Sequence, residues 1–133
     1  MNDCIFCKII KGEIPSYKIY EDDKTYAFLD IADDCEGHTL VIPKKHCTNV
    51  LDCEAEYLAA TAATVQKIAR HYVDDCGYDG VNIVNASGEA AQQSVFHLHF
   101  HIYPRKNGDG VDLFPLKGKI NSDMAALAEK LSL

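Results

Sequence analysis

The chain has 133 residues, a net charge of −7 and 47% hydrophobic residues. That length suits one domain with a core of its own, and no apolar run approaches the roughly 18 residues of a membrane span. The acidic balance argues against a nucleic-acid backbone as partner, because such binders carry a basic face, but it is compatible with a small nucleotide held by local donors.

Cys4-Ile5-Phe6-Cys7 opens the chain. A C-x-x-C pair can hold zinc, exchange disulfides or simply pack. No strand can precede Cys4, so a thioredoxin-like arrangement does not fit. The other cysteines are Cys35, Cys47, Cys53 and Cys76. With no basic start and long apolar region at the N-terminus, the expectation is a cytoplasmic, reducing setting with free or metal-bound thiols. Phe6, Ile9 and Ile10 then predict a short amphipathic helix stopping at Gly12.

Residues 17–21 alternate like a strand, residues 22–24 read as a turn, and residues 25–29 form a second strand, giving a hairpin. Asp30 follows at its end; a carboxylate there can cap a turn or accept hydrogen bonds from a ribose, and spacing alone favours the cap. Residues 31–37 are an acidic loop. Residues 38–43 predict a third strand ended by Pro43, and Lys44-Lys45-His46 leads out of it. From about Glu54 to Cys76, Leu58, Ala62, Val65, Ile68 or Ala69, and Tyr72 recur at helical spacing, with Gly77 as the stop. Residues 81–85 are a fourth strand, and residues 85–94 a small, polar connection. The G-x-x-x-x-G-K-[ST] phosphate loop is absent there, although backbone N–H groups and the Ser94 hydroxyl could surround an anion. Residues 111–115 suggest a short edge segment, and Ser122 a cap for a last helix through Leu131.

The stretch His97-Leu98-His99-Phe100-His101-Ile102-Tyr103 holds half of the chain's six histidines in five positions. In an extended strand side chains alternate faces, so three imidazoles project together while Leu98, Phe100 and Ile102 point into a core. A helix would separate them by roughly 200° at each step. Such a row can bind a metal, do acid–base or nucleophilic work, or hold an anion. A hydrolytic zinc on all three would call for a neighbouring carboxylate base, and no H-E-x-x-H pattern exists. The other chemistry is nucleophilic: a neutral imidazole attacks phosphorus and water opens the phospho-histidine, with flanking histidines steadying the phosphoryl oxygens.

His97-Leu98-His99-Phe100-His101-Ile102-Tyr103 resembles the signature of the histidine triad (HIT) family, His-φ-His-φ-His-φ-φ with φ apolar. Residues 4–10, 28–31, 38–46 and 93–96 match too, so the resemblance spans about residues 4–105 and points to the HINT-like branch in its bacterial form. It implies an α+β fold, an antiparallel sheet with a main helix packed on it, in one domain over 1–133 with residues 106–133 as a C-terminal extension, paired into a homodimer. The implied activity is hydrolysis of nucleoside 5′-phosphoramidates or related conjugates, releasing a nucleoside monophosphate. His99 would be the nucleophile, His101 would contact the phosphate, Ser94 would lie near the leaving group, and His38 matches a further active-site histidine. Asp30 would hold the ribose and Ile31 the nucleoside, with Asn85 and Gln93 also at the nucleotide.

The family usually has glycine where this chain has Gln92, and side-chain bulk there is expected to alter the pocket. Relatives with a structural zinc place it on residues that correspond here to Cys4, Cys7, His46 and His97, a Cys₂His₂ set. Zinc would then be structural, with no cofactor needed for the chemical step. Two alternatives remain open to experiment: a dinucleoside polyphosphate hydrolase, and a zinc-containing nucleotide-binding or scaffolding protein with incidental turnover.

Overall fold

The computed structural model describes residues 3–115 and 117–133. Helix α1 spans Ile5–Ile10, β1 Lys18–Glu21, β2 Thr25–Leu29, β3 Thr39–Pro43, α2 Ala55–Asp74, β4 Gly80–Val84, β5 Phe100–Arg105 and α3 Met124–Leu131. The strands form one antiparallel sheet in the order β1-β2-β3-β5-β4.

Local chemistry sets the turns. Asp22 closes the β1–β2 hairpin: its Oδ1 accepts from the N–H groups of Lys24 (2.9 Å) and Thr25 (2.8 Å) and from the Thr25 hydroxyl, as an aspartate at a turn start does. Gly12, at φ +78°, donates its N–H to Ile9 and ends α1 in the left-handed conformation that glycine adopts without penalty.

Alternation along the strands splits the core between two faces. On one, Tyr26, Phe28, Leu40 and Ile42 pack against Phe6 and Ile9 of α1. On the other, Ala27, Val41 and Ile102 pack against Val65, Ile68 and Tyr72 of α2. The histidine segment obeys the same rule: Phe100 and Ile102 join the α2 face, while the His97 and His99 rings stand edge-on to Phe6, with centroids 5.8 and 5.2 Å away.

Four expectations need correction. The histidines do not all lie in a strand: β5 starts at Phe100. Its ladder with β3 stops where Pro43 has no N–H to offer, and the Leu98 N–H goes instead to the Cys47 carbonyl (2.9 Å). In α2, Ala62 is exposed and the buried stripe passes through Thr61 and Thr64. Those hydroxyls are satisfied by the Tyr57 carbonyl (2.7 Å) and by Thr25 (2.8 Å). Residues 111–115 form no strand; the Arg105 side chain, which also grips Asp109, takes the Val111 carbonyl. Asp123, not Ser122, caps α3 by accepting from the Ala126 N–H (3.1 Å).

Candidate functional site

A cleft of about 340 Å³ opens on the α1 face of the sheet, in the size range of small-ligand pockets. Phe6, Ile9, Asp30, Ile31, Ser94, His99 and His101 are among the residues that line it. Among the described residues no lysine or arginine lines it, so an anion there would rely on imidazole and backbone donors. Ile31, which lines the cleft, is 85% exposed and offers it an apolar surface.

The histidines are distinguished by which nitrogen the protein has already taken. The Nδ1 of His99 lies 2.8 Å from the His97 carbonyl. A carbonyl only accepts, so Nδ1 carries the hydrogen and Nε2 keeps its lone pair. Burial pushes the His99 pKa below the usual histidine range, because charge is costly away from water. The ring is thus a neutral base with one nitrogen uncommitted. The Nδ2 of Asn85 donates to the His99 carbonyl (3.0 Å) and so fixes the backbone carrying that ring.

His101 is held by another ring. Its Nδ1 stands 2.8 Å from the Nε2 of His38, and the His38 Nδ1 stands 2.7 Å from Asp34 Oδ1 and 3.6 Å from Asp30 Oδ2. Tyr103 stacks on both rings, at 4.1 Å from His38 and 5.7 Å from His101 between centroids. Burial, with repulsion from His99 and His38, pushes the His101 pKa down to about 4. Asp30 caps its turn through Oδ1, which accepts from the Ala32 N–H (2.8 Å), while its carboxylate borders the cleft. Both roles considered for it from sequence are therefore compatible.

The connection before the histidines is locked by amides. Gln93 is buried; its Nε2 donates to the carbonyls of Thr48 (2.7 Å) and Val95 (3.0 Å), and its Oε1 accepts from Gly88 N–H and Asn49. That side chain is saturated by protein and does not line the cleft. Gln92 does not crowd the pocket either. It is exposed, at φ +72°, ending the 3₁₀ turn Glu89–Ala91. Glycine suits that position for its backbone freedom rather than for its small size.

Behind the His99 wall, Cys4, Cys7, His46 and His97 converge, with one donor atom from each within 4.8 Å of all the others. The Nε2 of His97 donates to the Pro43 carbonyl (2.9 Å), which turns its Nδ1 lone pair inward. That Nδ1 lies 3.3 Å from Cys4 Sγ, 3.5 Å from Cys7 Sγ and 3.1 Å from the His46 Nδ1; Cys7 Sγ is 3.4 Å from the last. Ligands at zinc distances of about 2.0–2.3 Å in a tetrahedron stand about 3.3–3.8 Å apart, so two thiolates and two imidazoles here fit that ion. Burial pushes His97 down to about 4, the neutral form a metal ligand requires. Cys4 also caps α1, its Sγ accepting from the Cys7 N–H.

The HIT domain family matches residues 11–108. An adenosine 5′-monophosphoramidase of Candida albicans is 40% identical, over 96% of this chain and 88% of its own length. A crystal structure of a HIT family member from Bacillus subtilis superposes with a TM-score of 0.84 at 43% identity, over 97% of this chain and 94% of that one. A zinc-bound histidine triad protein from Mycobacterium smegmatis superposes at 0.80 with 42% identity, over 87% and 84%.

Proposed function

Because this chain belongs to the HIT domain family, we propose that it is a nucleotide hydrolase that cleaves nucleoside 5′-phosphoramidates. The observation that carries this reading is the committed Nδ1 of His99, which leaves a neutral Nε2 facing a nucleotide-sized cleft. In the reaction, the Nε2 lone pair of His99 forms a bond to phosphorus as the P–N bond breaks. The amine leaves with a proton from His101. Water then attacks the nucleotidyl-His99, gives its proton back to His101, and releases the nucleoside monophosphate. Asp30 holds the ribose, Ile31 and Phe6 flank the base, and Ser94 lies by the leaving group. The similarity to a named adenosine phosphoramidase supports this substrate class.

Cys4, Cys7, His46 and His97 would hold a structural zinc, stapling the N-terminus to the segment that carries His99. Elemental analysis should find about one zinc per chain, and a strong chelator should lower the melting temperature by on the order of 10 °C. The protein would act as a homodimer through the open β4 edge, where Ile83 is 48% exposed; light scattering in solution tests this. The activity itself is tested by comparing rates on an adenosine phosphoramidate and a diadenosine polyphosphate. Faster turnover of the phosphoramidate is expected. A preference for the polyphosphate would reassign the leaving group, and binding without turnover would make the protein a nucleotide-binding module.

A further inference from the structure

Asp34 sits in the loop between β2 and β3 with its side chain about half exposed (54%), yet its Oδ1 lies 2.7 Å from the Nδ1 of His38, a residue only 3% exposed. The loop is bent to reach it: Asp33 adopts φ +52°, a left-handed conformation that aspartate tolerates better than most residues. We propose that Asp34 is a positioning residue of this site, which, through His38, keeps a hydrogen on the His101 Nδ1, so that His101 gives its Nε2 proton to the leaving group as a cation. The inference rests on the reading of His99 as nucleophile and His101 as proton donor.

The acceptors force the tautomers of both rings. A carboxylate only accepts, so the His38 Nδ1 must carry hydrogen. The neutral ring then has its lone pair on Nε2, 2.8 Å from the His101 Nδ1. That contact holds only if the His101 Nδ1 carries hydrogen in turn. The second, transferable proton of His101 is therefore confined to Nε2, the ring nitrogen that His38 does not engage. If the His38 ring were reversed, with hydrogen on Nε2, it would donate to the His101 Nδ1. Neutral His101 would then carry its one hydrogen on Nε2, which it could give up only as an anion, and its cation would face a donor. The Asp34 charge also favours the cation, which an anionic phosphate completes when substrate arrives.

The groups facing the pair are few. His101 is surrounded by His99, His38, Tyr103, Asp30 and Asp34, and His38 by Asp30, Asp34, Tyr103 and His101. Asp30 lies 3.6 Å from the His38 Nδ1, beyond hydrogen-bond reach. Asp34 is thus the carboxylate that fixes the ring.

The test compares wild type with Asp34→Asn and Asp34→Glu on an adenosine phosphoramidate across pH. It also follows the imidazole nitrogens by ¹⁵N NMR. Asp34→Asn should move the alkaline limb of kcat down by about half to one pH unit, a loss of about 3- to 10-fold above that limb, with KM within about twofold. Asp34→Glu should restore most of it. In wild type His38 should be the Nδ1–H tautomer, and in Asp34→Asn a mixture. An unmoved limb in Asp34→Asn, a Glu variant no better than Asn, or an Nε2–H tautomer in the wild type would overturn the proposal. Should the wild type fail to turn over the phosphoramidate, the reading of function falls. The tautomer of His38 then decides on Asp34 by itself, Nδ1–H supporting the proposal and Nε2–H overturning it.

Discussion

The two faces of the sheet treat buried polar groups in opposite ways. On the α2 face they close on one another: Thr25 on Thr64 at 2.8 Å, and Thr39 on Tyr72 at 2.6 Å while donating to the Gly37 carbonyl. Each of these hydroxyls has a partner, and apolar residues pack around them. On the α1 face the imidazoles are half spent. His97, His99 and His101 each give one nitrogen to a protein partner and leave the other uncommitted or turned toward the cysteines. A satisfied buried group stabilises a fold, whereas a ring held at one nitrogen only is oriented and still able to react.

If that division is real, changes on the two faces should separate. The largest effect belongs to His99→Ala, which should cut kcat on an adenosine phosphoramidate on the order of 10⁴-fold or more. Nucleotide binding measured by calorimetry should persist. Next is Ile102→Ala, fully buried on the α2 face. It should cost about 3 kcal/mol in denaturant unfolding while folded protein keeps kcat within a few-fold. Loss of chemistry without loss of stability from Ile102→Ala would break the comparison.

The third effect is pH-dependent. His101 has a folded pKa near 4, below its unfolded value, so between about pH 6.5 and 4 the unfolded chain binds more protons than the folded one. This contribution to stability is complete above pH 6.5 and is lost as pH falls toward 4. Replacing the ring in His101→Asn should reduce the acid loss by about 2 kcal/mol, read from unfolding curves at neutral and acidic pH. Smallest is Tyr72→Phe, which deletes one satisfied bond on the α2 face. It should cost about 1 kcal/mol and leave the pH–rate profile unchanged.

Much of this division could be read from the chain. Alternation at residues 97–103 sets the histidines against Phe100 and Ile102, since period two follows from backbone geometry whatever the tertiary contacts. The triad signature and the Cys₂His₂ set are legible through resemblance; in the structure the four cysteine and histidine donors lie together, and Asp30, His99 and His101 line one cleft. Asp34 was hidden. It sat among the acids of residues 31–37, and only the loop's backbone shape carries it to His38. Gln93 and Asn85 were read toward the nucleotide, but their amides turn to protein, a choice that composition does not encode. Thr61 and Thr64 escape an apolar periodicity, which ignores a hydroxyl satisfied by its own helix, as in Thr61, or by another element, as in Thr64.

The central claim is that His99 presents a neutral nitrogen to phosphorus. The direct measurement is to mix protein with an adenosine phosphoramidate, quench in base during turnover, and locate the modified residue by peptide mass spectrometry. An adenylyl group on His99 is the predicted result. Turnover with the adduct on another histidine, or with none trapped at any quench time, would contradict it.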